Sequence, residues 1–153
     1  MNKKLIFITG GARSGKSSFV ENWAIEFGEK VLFIATAERS DEEMVERINN
    51  HRESRPKSWK TIEAPLNISK SLKENHDNFD TIILDCVTLL SSNALLKLPE
   101  ESNQDDSDKA ILYQINDLLE AYSKTSATWL IVSNEVGLGL VPAYKLGRLF
   151  RDS

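Results

Sequence analysis

The chain has 153 residues, of which 41% are hydrophobic and 27% charged, the size and composition of one globular domain built on a single core. Its net charge of −4 argues against a broad nucleic-acid surface, which needs clustered Lys and Arg to neutralise phosphates. The lone cysteine, Cys86, rules out an internal disulfide and fits a reducing compartment, while no apolar run reaches the ~18 residues of a membrane span.

Lys4–Thr9 reads as a short, fully buried strand. It runs into Gly10-Gly11-Ala12-Arg13-Ser14-Gly15-Lys16-Ser17, which matches G-x-x-x-x-G-K-[ST]. In this motif the glycines let successive backbone N–H groups turn onto phosphate oxygens, the lysine adds a point charge and the serine hydroxyl reaches Mg²⁺. A helix from Lys16 to about Phe27 follows, aiming its positive end at the same phosphates. Phe19, Val20, Trp23, Ala24 and Phe27 form its expected core stripe, and Gly28 its stop. Val31–Ala35 is a second buried strand, so the first 35 residues make a βαβ unit with a right-handed crossover and a parallel sheet.

Ser40 and Glu43 stand as a capping box for a polar helix that Arg55-Pro56 ends. Along it Met44, Ile48 and His51 share one face. Trp59–Glu63 suggests a short extended piece, and 67–75 a weak amphipathic helix. Phe79–Cys86 is a buried strand whose acid, Asp85, is the expected second partner of Mg²⁺ beside Ser17. Val87–Leu98 reads as an apolar helix closed by Pro99, Glu100–Asp108 as a solvated acidic loop, and Ile111, Leu112, Ile115, Leu118, Leu119 and Tyr122 as the stripe of another helix. Trp129–Val132 is a further buried strand, and Ser133–Gly139 the loop at its C-terminal end, the edge where open α/β sheets bind ligands. A last helix is expected over about Ala143–Arg151. The whole is a three-layer, P-loop NTPase-like α/β fold with a mainly parallel sheet, residues 1–153 forming one nucleotide-binding domain.

These residues together resemble the bifunctional adenosylcobinamide kinase / adenosylcobinamide-phosphate guanylyltransferase family of cobalamin biosynthesis. The resemblance rests on Thr9–Ser17, Ile34–Ala37, Asp41–Met44, the segment Arg47-Ile48-x-x-His51-x-x-x-Arg55-Pro56-x-x-Trp59, Thr61–Glu63, Leu84–Cys86 and Ser133–Pro142. It implies two reactions at one nucleotide site, using GTP or ATP with Mg²⁺. One phosphorylates the side-chain hydroxyl of adenosylcobinamide, and the other transfers GMP from GTP to adenosylcobinamide phosphate through a guanylylated His51. Carried over residue by residue, the nucleotide contacts fall on Gly10, Gly11, Ala12, Arg13, Ser14, Gly15, Lys16 and Ser17, on Ala35, Thr36 and Ala37, on Arg52, Glu53, Ser54 and Arg55, and on Glu63 and Asp85. Lys16 and His51 are the expected catalytic residues, and Ser17 and Asp85 the metal ligands. The family also implies a cytoplasmic homotrimer. It normally continues beyond Arg151-Asp152 into more helix and a final strand, so this sequence is expected to lack that element and to leave a sheet edge exposed.

Read without the resemblance, His51 has Arg47 one turn before it and Arg52 and Arg55 after it. An imidazole with a reference pKa of about 6.5 is mostly neutral, hence nucleophilic, at pH 7. Cationic neighbours favour that neutral form and stabilise charge on a transferring phosphoryl group. His76, in a polar run, has no assigned role. Two other readings fit the residues: a P-loop kinase of another small alcohol with an inert His51, and a nucleotide-binding trimer subunit that has lost catalysis with its C-terminus.

Overall fold

The computed structural model describes residues 3–10, 15–37, 55–75 and 78–134. In chain order these form β1 (Leu5–Gly10), α1 (Lys16–Phe27), β2 (Val31–Ala35), β3 (Lys60–Glu63), α2 (Ile68–Lys73), β4 (Thr81–Asp85), α3 (Val87–Leu96), α4 (Gln104–Ser123) and β5 (Thr128–Asn134). The five strands make one sheet in the order β1-β5-β4-β2-β3, and every pairing is parallel. The expected helices over 40–55 and 143–151 and the loop after Asn134 lie outside the described residues.

Alternation along the strands divides the core between the two faces of the sheet. Leu32, Ile34, Ile82, Leu84, Trp129 and Ile131 pack with Ile68 of α2, Val87 and Leu90 of α3, and Ile111, Ile115 and Leu118 of α4. Their neighbours Val31, Phe33, Ala35, Ile83, Leu130 and Val132 face Val20 and Ala24 of α1. Helices thus cover both faces, giving the three layers. Strands β2 and β4 are central, and their near-continuous apolar runs follow from burial on both sides.

β1 differs from its expected full burial. Among the described residues it is an outer strand, and Leu5 is exposed. On α1 the apolar stripe is narrower than its sequence suggests: Val20 and Ala24 are buried, whereas Phe19 and Phe27 are exposed and Trp23 is half-buried. The small residues face the sheet because the helix end approaches it closely. At Gly28 a Cβ would lie 2.8 Å from the Ala24 carbonyl oxygen, 2.8 Å from Thr81 Oγ1 and 2.9 Å from Val31 Cγ2. Gly28 closes the helix in extended backbone, φ −96°, so lack of space rather than left-handed geometry requires the glycine.

The acidic stretch expected as a loop is in part helix. Asn103 Oδ1 accepts from Asp106 N at 2.9 Å, and Asp106 Oδ2 accepts from Asn103 N at 3.2 Å. This reciprocal capping box starts α4 at Gln104 and leaves Asp105 and Asp106 in its first turn, where a helix N-terminus favours negative charge. On the same helix Leu112 is exposed, so the buried stripe runs through Ile111, Ile115 and Leu118. β5 also runs two residues past its expected end, because Thr9 pairs with Ser133 and Gly10 with Asn134.

One buried knot holds the ends of β2 and β4 together. Thr36 N donates to Asp85 O at 3.1 Å, and Thr36 Oγ1 donates to Cys86 O at 2.7 Å and accepts from Cys86 N at 2.9 Å. Asn93 of α3 then donates to Thr36 O at 2.8 Å and Pro65 O at 3.0 Å. Thr36→Val keeps the shape but strands the buried Cys86 N–H, while Cys86 O still accepts from Leu90 N at 3.2 Å, so it is expected to cost about 1–3 kcal/mol. Urea unfolding should show that loss, with Thr36→Ser recovering most of it; an unchanged midpoint for valine would mean the knot contributes nothing.

Candidate functional site

A parallel sheet delivers the C-terminal ends of all its strands to one edge, so the positions singled out in the sequence converge there. Register pairs Gly10 with Asn134, Asp85 with Val132, and Ala35 with both Asp85 and Glu63. Thr36 and Ala37 continue from β2 over the same edge. Glu63 ends β3, an outer strand among the described residues, four strand spacings from Gly10, or about 19 Å at ~4.8 Å each. Asp85 is not on the strand next to the glycine-rich turn: β5 intervenes, a separation of two spacings. Gly11, Ala12, Arg13, Ser14, His51, Arg52, Glu53 and Ser54 lie outside the described residues.

Gly15 precedes α1 with φ +83°, in the left-handed region, which is why glycine stands there. The first turn of α1 has neither a side-chain cap nor an acidic residue. A helix N-terminus of this kind suits an anion supplied from outside the helix. Lys16 is buried and Ser17 exposed at that turn.

Ser17 and Asp85, expected to share a metal, line one cavity of about 10 Å³ with Val20, Glu21, Phe33, Arg55, Ile83 and Val132. That is the room of a single water or small ion. Asp85 points to the α1 side because it is two residues from Ile83 on β4, and Glu21 reaches the cavity because it is four residues from Ser17 on α1. Arg55 is buried and lays its guanidinium over the Phe33 ring, Cζ 3.7 Å from the centroid. Two carboxylates and one guanidinium leave the cavity lining with a net negative charge. Hard oxygen donors of this kind suit Mg²⁺.

Glu21 and Phe33 had not been singled out in the sequence. The i, i+4 spacing from Ser17 carries a signal for Glu21. Phe33 carries none, since every residue of β2 is buried and alternation cannot show which face is which.

Thr36 and Cys86 serve the frame of the site. The Thr36 hydroxyl is engaged by the Cys86 backbone. The Cys86 thiol caps α3 by accepting from Leu89 N at 3.4 Å and from Asn134 Nδ2 at 3.4 Å. Burial, with the neighbouring charge of Asp85, pushes that thiol up to about 11, so it is protonated at neutral pH and is no nucleophile. Thr88 Oγ1 accepts from Asn134 N at 3.1 Å and donates to Asn134 O at 2.9 Å, tying the end of β5 to α3.

Among solved structures the fold is similar to the assembled ATPase EscN of the enteropathogenic E. coli type III secretion system, at a TM-score of 0.61 and 14% identity, over 98% of this chain and 41% of that one. The sheet and helices are those of a P-loop NTPase fold. In sequence the chain is 37% identical to the bifunctional adenosylcobalamin biosynthesis protein CobU of Escherichia coli K12, over 97% of this chain and 84% of that protein. It is equally similar, with the same coverage, to CobU of Salmonella typhimurium. It is 39% identical to CobP of Pseudomonas aeruginosa, over 95% of this chain and 79% of that protein. The family model described as cobinamide kinase / cobinamide phosphate guanyltransferase matches residues 6–153. With that match and these relatives, the chain belongs to the cobinamide kinase / cobinamide phosphate guanyltransferase family of transferases.

Proposed function

We propose that residues 1–153 form a single P-loop domain that carries out both family reactions at the C-terminal strand edge, with GTP or ATP and Mg²⁺ for phosphorylation and GTP for GMP transfer. The observation that carries this reading is the convergence of Ser17, Asp85 and Arg55 on one cavity at the start of α1. Cobinamide as the substrate follows from family membership. On the family resemblance, the protein works as a cytoplasmic homotrimer. No helix among the described residues is long and apolar enough to cross a membrane.

In the kinase step the hydroxyl oxygen of adenosylcobinamide attacks the γ-phosphorus, the β–γ bridging bond breaks, and the nucleoside diphosphate leaves. Lys16 and the N–H groups of the 10–17 turn hold the phosphate chain in line and neutralise charge as it spreads over the transferring oxygens. Ser17 Oγ and the Asp85 carboxylate would hold Mg²⁺, whose charge offsets that of the β- and γ-phosphate oxygens.

In the transferase step an imidazole nitrogen of His51 attacks the α-phosphorus and pyrophosphate leaves. A phosphate oxygen of adenosylcobinamide phosphate then displaces the imidazole from the bound GMP. Covalent geometry supports one shared nucleotide. His51 is four residues before Arg55, and four residues of chain span at most about 14 Å. This sequence separation is compatible with a common triphosphate that has two points of attack.

Two outcomes are expected. Asp85→Asn should raise the Mg²⁺ concentration needed for nucleotide binding by about tenfold or more, since one anionic ligand is lost, while circular dichroism stays that of the parent. An unaltered magnesium titration would reduce Asp85 to a strand-end acid. Incubation with α-³²P-GTP should label the protein through a bond stable in alkali and cleaved in mild acid, as a phosphoramidate is, whereas γ-label is not retained. His51→Ala should remove the label and GMP transfer but keep much of the kinase activity. Label that survives His51→Ala would identify another nucleophile.

A further inference from the structure

Arg55 is held against an aromatic ring of the sheet. Its guanidinium is stacked on Phe33 at 3.7 Å, with 7% of the residue exposed, on the wall of the cavity that also contains Ser17, Glu21 and Asp85. Phe33 itself is fixed. It lies in the middle of β2, is 5% exposed, pairs in register with Ile83 of β4 and Thr61 of β3, and belongs to the apolar cluster under α1. The ring is thus a rigid platform of the sheet. After Arg55, Pro56 leads through a turn in which Trp59 N donates to Pro56 O at 3.1 Å, and Trp59 packs against the same cluster.

We infer that Phe33 is a positioning residue: by stacking on the Arg55 guanidinium it aims that cation at the β- and γ-phosphates of a nucleoside triphosphate seated on the Gly10–Ser17 turn. The inference rests on the proposed nucleotide site and adds to it a role for a core aromatic. A stacked guanidinium keeps its in-plane N–H donors directed outward along the ring face, where a planar fork meets phosphate oxygens two at a time. Low exposure strengthens the attraction to the ring and removes most of the freedom an arginine otherwise loses on binding. The adjoining carboxylates Glu21 and Asp85 give the same cation an anionic surrounding before phosphate arrives, so its charge is compensated in either state.

A lysine cannot replace this device, because an ammonium has no plane to stack or fork to present. A tyrosine in place of Phe33 keeps the ring; a leucine keeps apolar volume without it.

The test is the affinity of the full chain for GTP and for GMP in Mg²⁺, measured by calorimetry for the parent, Phe33→Leu, Phe33→Tyr, Arg55→Lys and Lys16→Ala. Phe33→Leu and Arg55→Lys are each expected to weaken GTP binding by about 3- to 30-fold, the range of cation–π contacts from exposed to desolvated. GMP binding should change less than threefold, and Phe33→Tyr should restore the parent preference for triphosphate. General damage to the core would weaken both nucleotides together and lower the melting temperature. Arg55→Lys, which leaves the sheet intact, reads the same preference if Phe33→Leu fails to fold. A parent-like GTP-to-GMP preference in Arg55→Lys, alongside lost GTP binding in Lys16→Ala, overturns the positioning role and leaves the P-loop reading standing. Parent-like GTP binding in Lys16→Ala as well overturns both.

Discussion

The constraint on which this structure depends is the closed hydrogen bonding where β2 and β4 end. Each strand must stop at the ligand edge without leaving buried backbone groups unsatisfied, since each such group costs about 1–3 kcal/mol. Thr36 solves this for both strands by bonding the backbone of Asp85 and Cys86, and Asn93 satisfies the Thr36 carbonyl from α3. The result fixes the height of Asp85 relative to Ala35 and, through Cys86, the start of α3. The carboxylate expected to hold a metal is therefore attached to the most completely buried part of the sheet.

From this frame the site is built by close approach on one face. Val20 and Ala24 let α1 settle onto β2, β4 and β5, and Gly28 ends the helix where no side chain fits. The helix N-terminus then stands over the strand ends with Ser17 and Glu21 directed at Asp85 and Arg55. Burial lowers the local dielectric, so the guanidinium over Phe33 and the two carboxylates act on one another and on phosphates more strongly than they would in water. The same environment keeps the Cys86 thiol protonated, which leaves phosphate chemistry without a competing sulfur nucleophile beside it.

The far face of the sheet has a different task. Trp129 is fully buried there and donates from Nε1 to Thr125 Oγ1 at 2.9 Å. Lys3 Nζ donates to the carbonyls of Tyr122 and Thr125, at the C-terminal end of α4, where positive charge is favoured. These contacts anchor β5 and the approach to β1. The intervening strand β5 is in this way held from both ends, by Thr125 at its start and by Thr88 at Asn134, and it sets the spacing between the glycine-rich turn and Asp85.

What the amino-acid sequence determined by itself is local. The strand, glycine turn and helix at 5–27, the apolar runs of β2 and β4, and the acid ending β4 are written in neighbouring residues, because turn geometry and backbone pairing depend on a few adjacent side chains. Membership of the family was likewise legible in short motifs. Local patterns are ambiguous where two explanations share one composition: the acidic run at 100–108 reads as a solvated loop, and only the Asn103–Asp106 pairing shows that its second half starts a capped helix. The aromatic residues of α1 read as core because periodicity gives a face but not its width. Strand order, the placement of β5 between β1 and β4, and the meeting of Glu21, Phe33 and Arg55 were decided by the tertiary structure alone. They join segments dozens of residues apart, and it is the packing of crossover helices on a twisted sheet, not any neighbouring residue, that selects such partners.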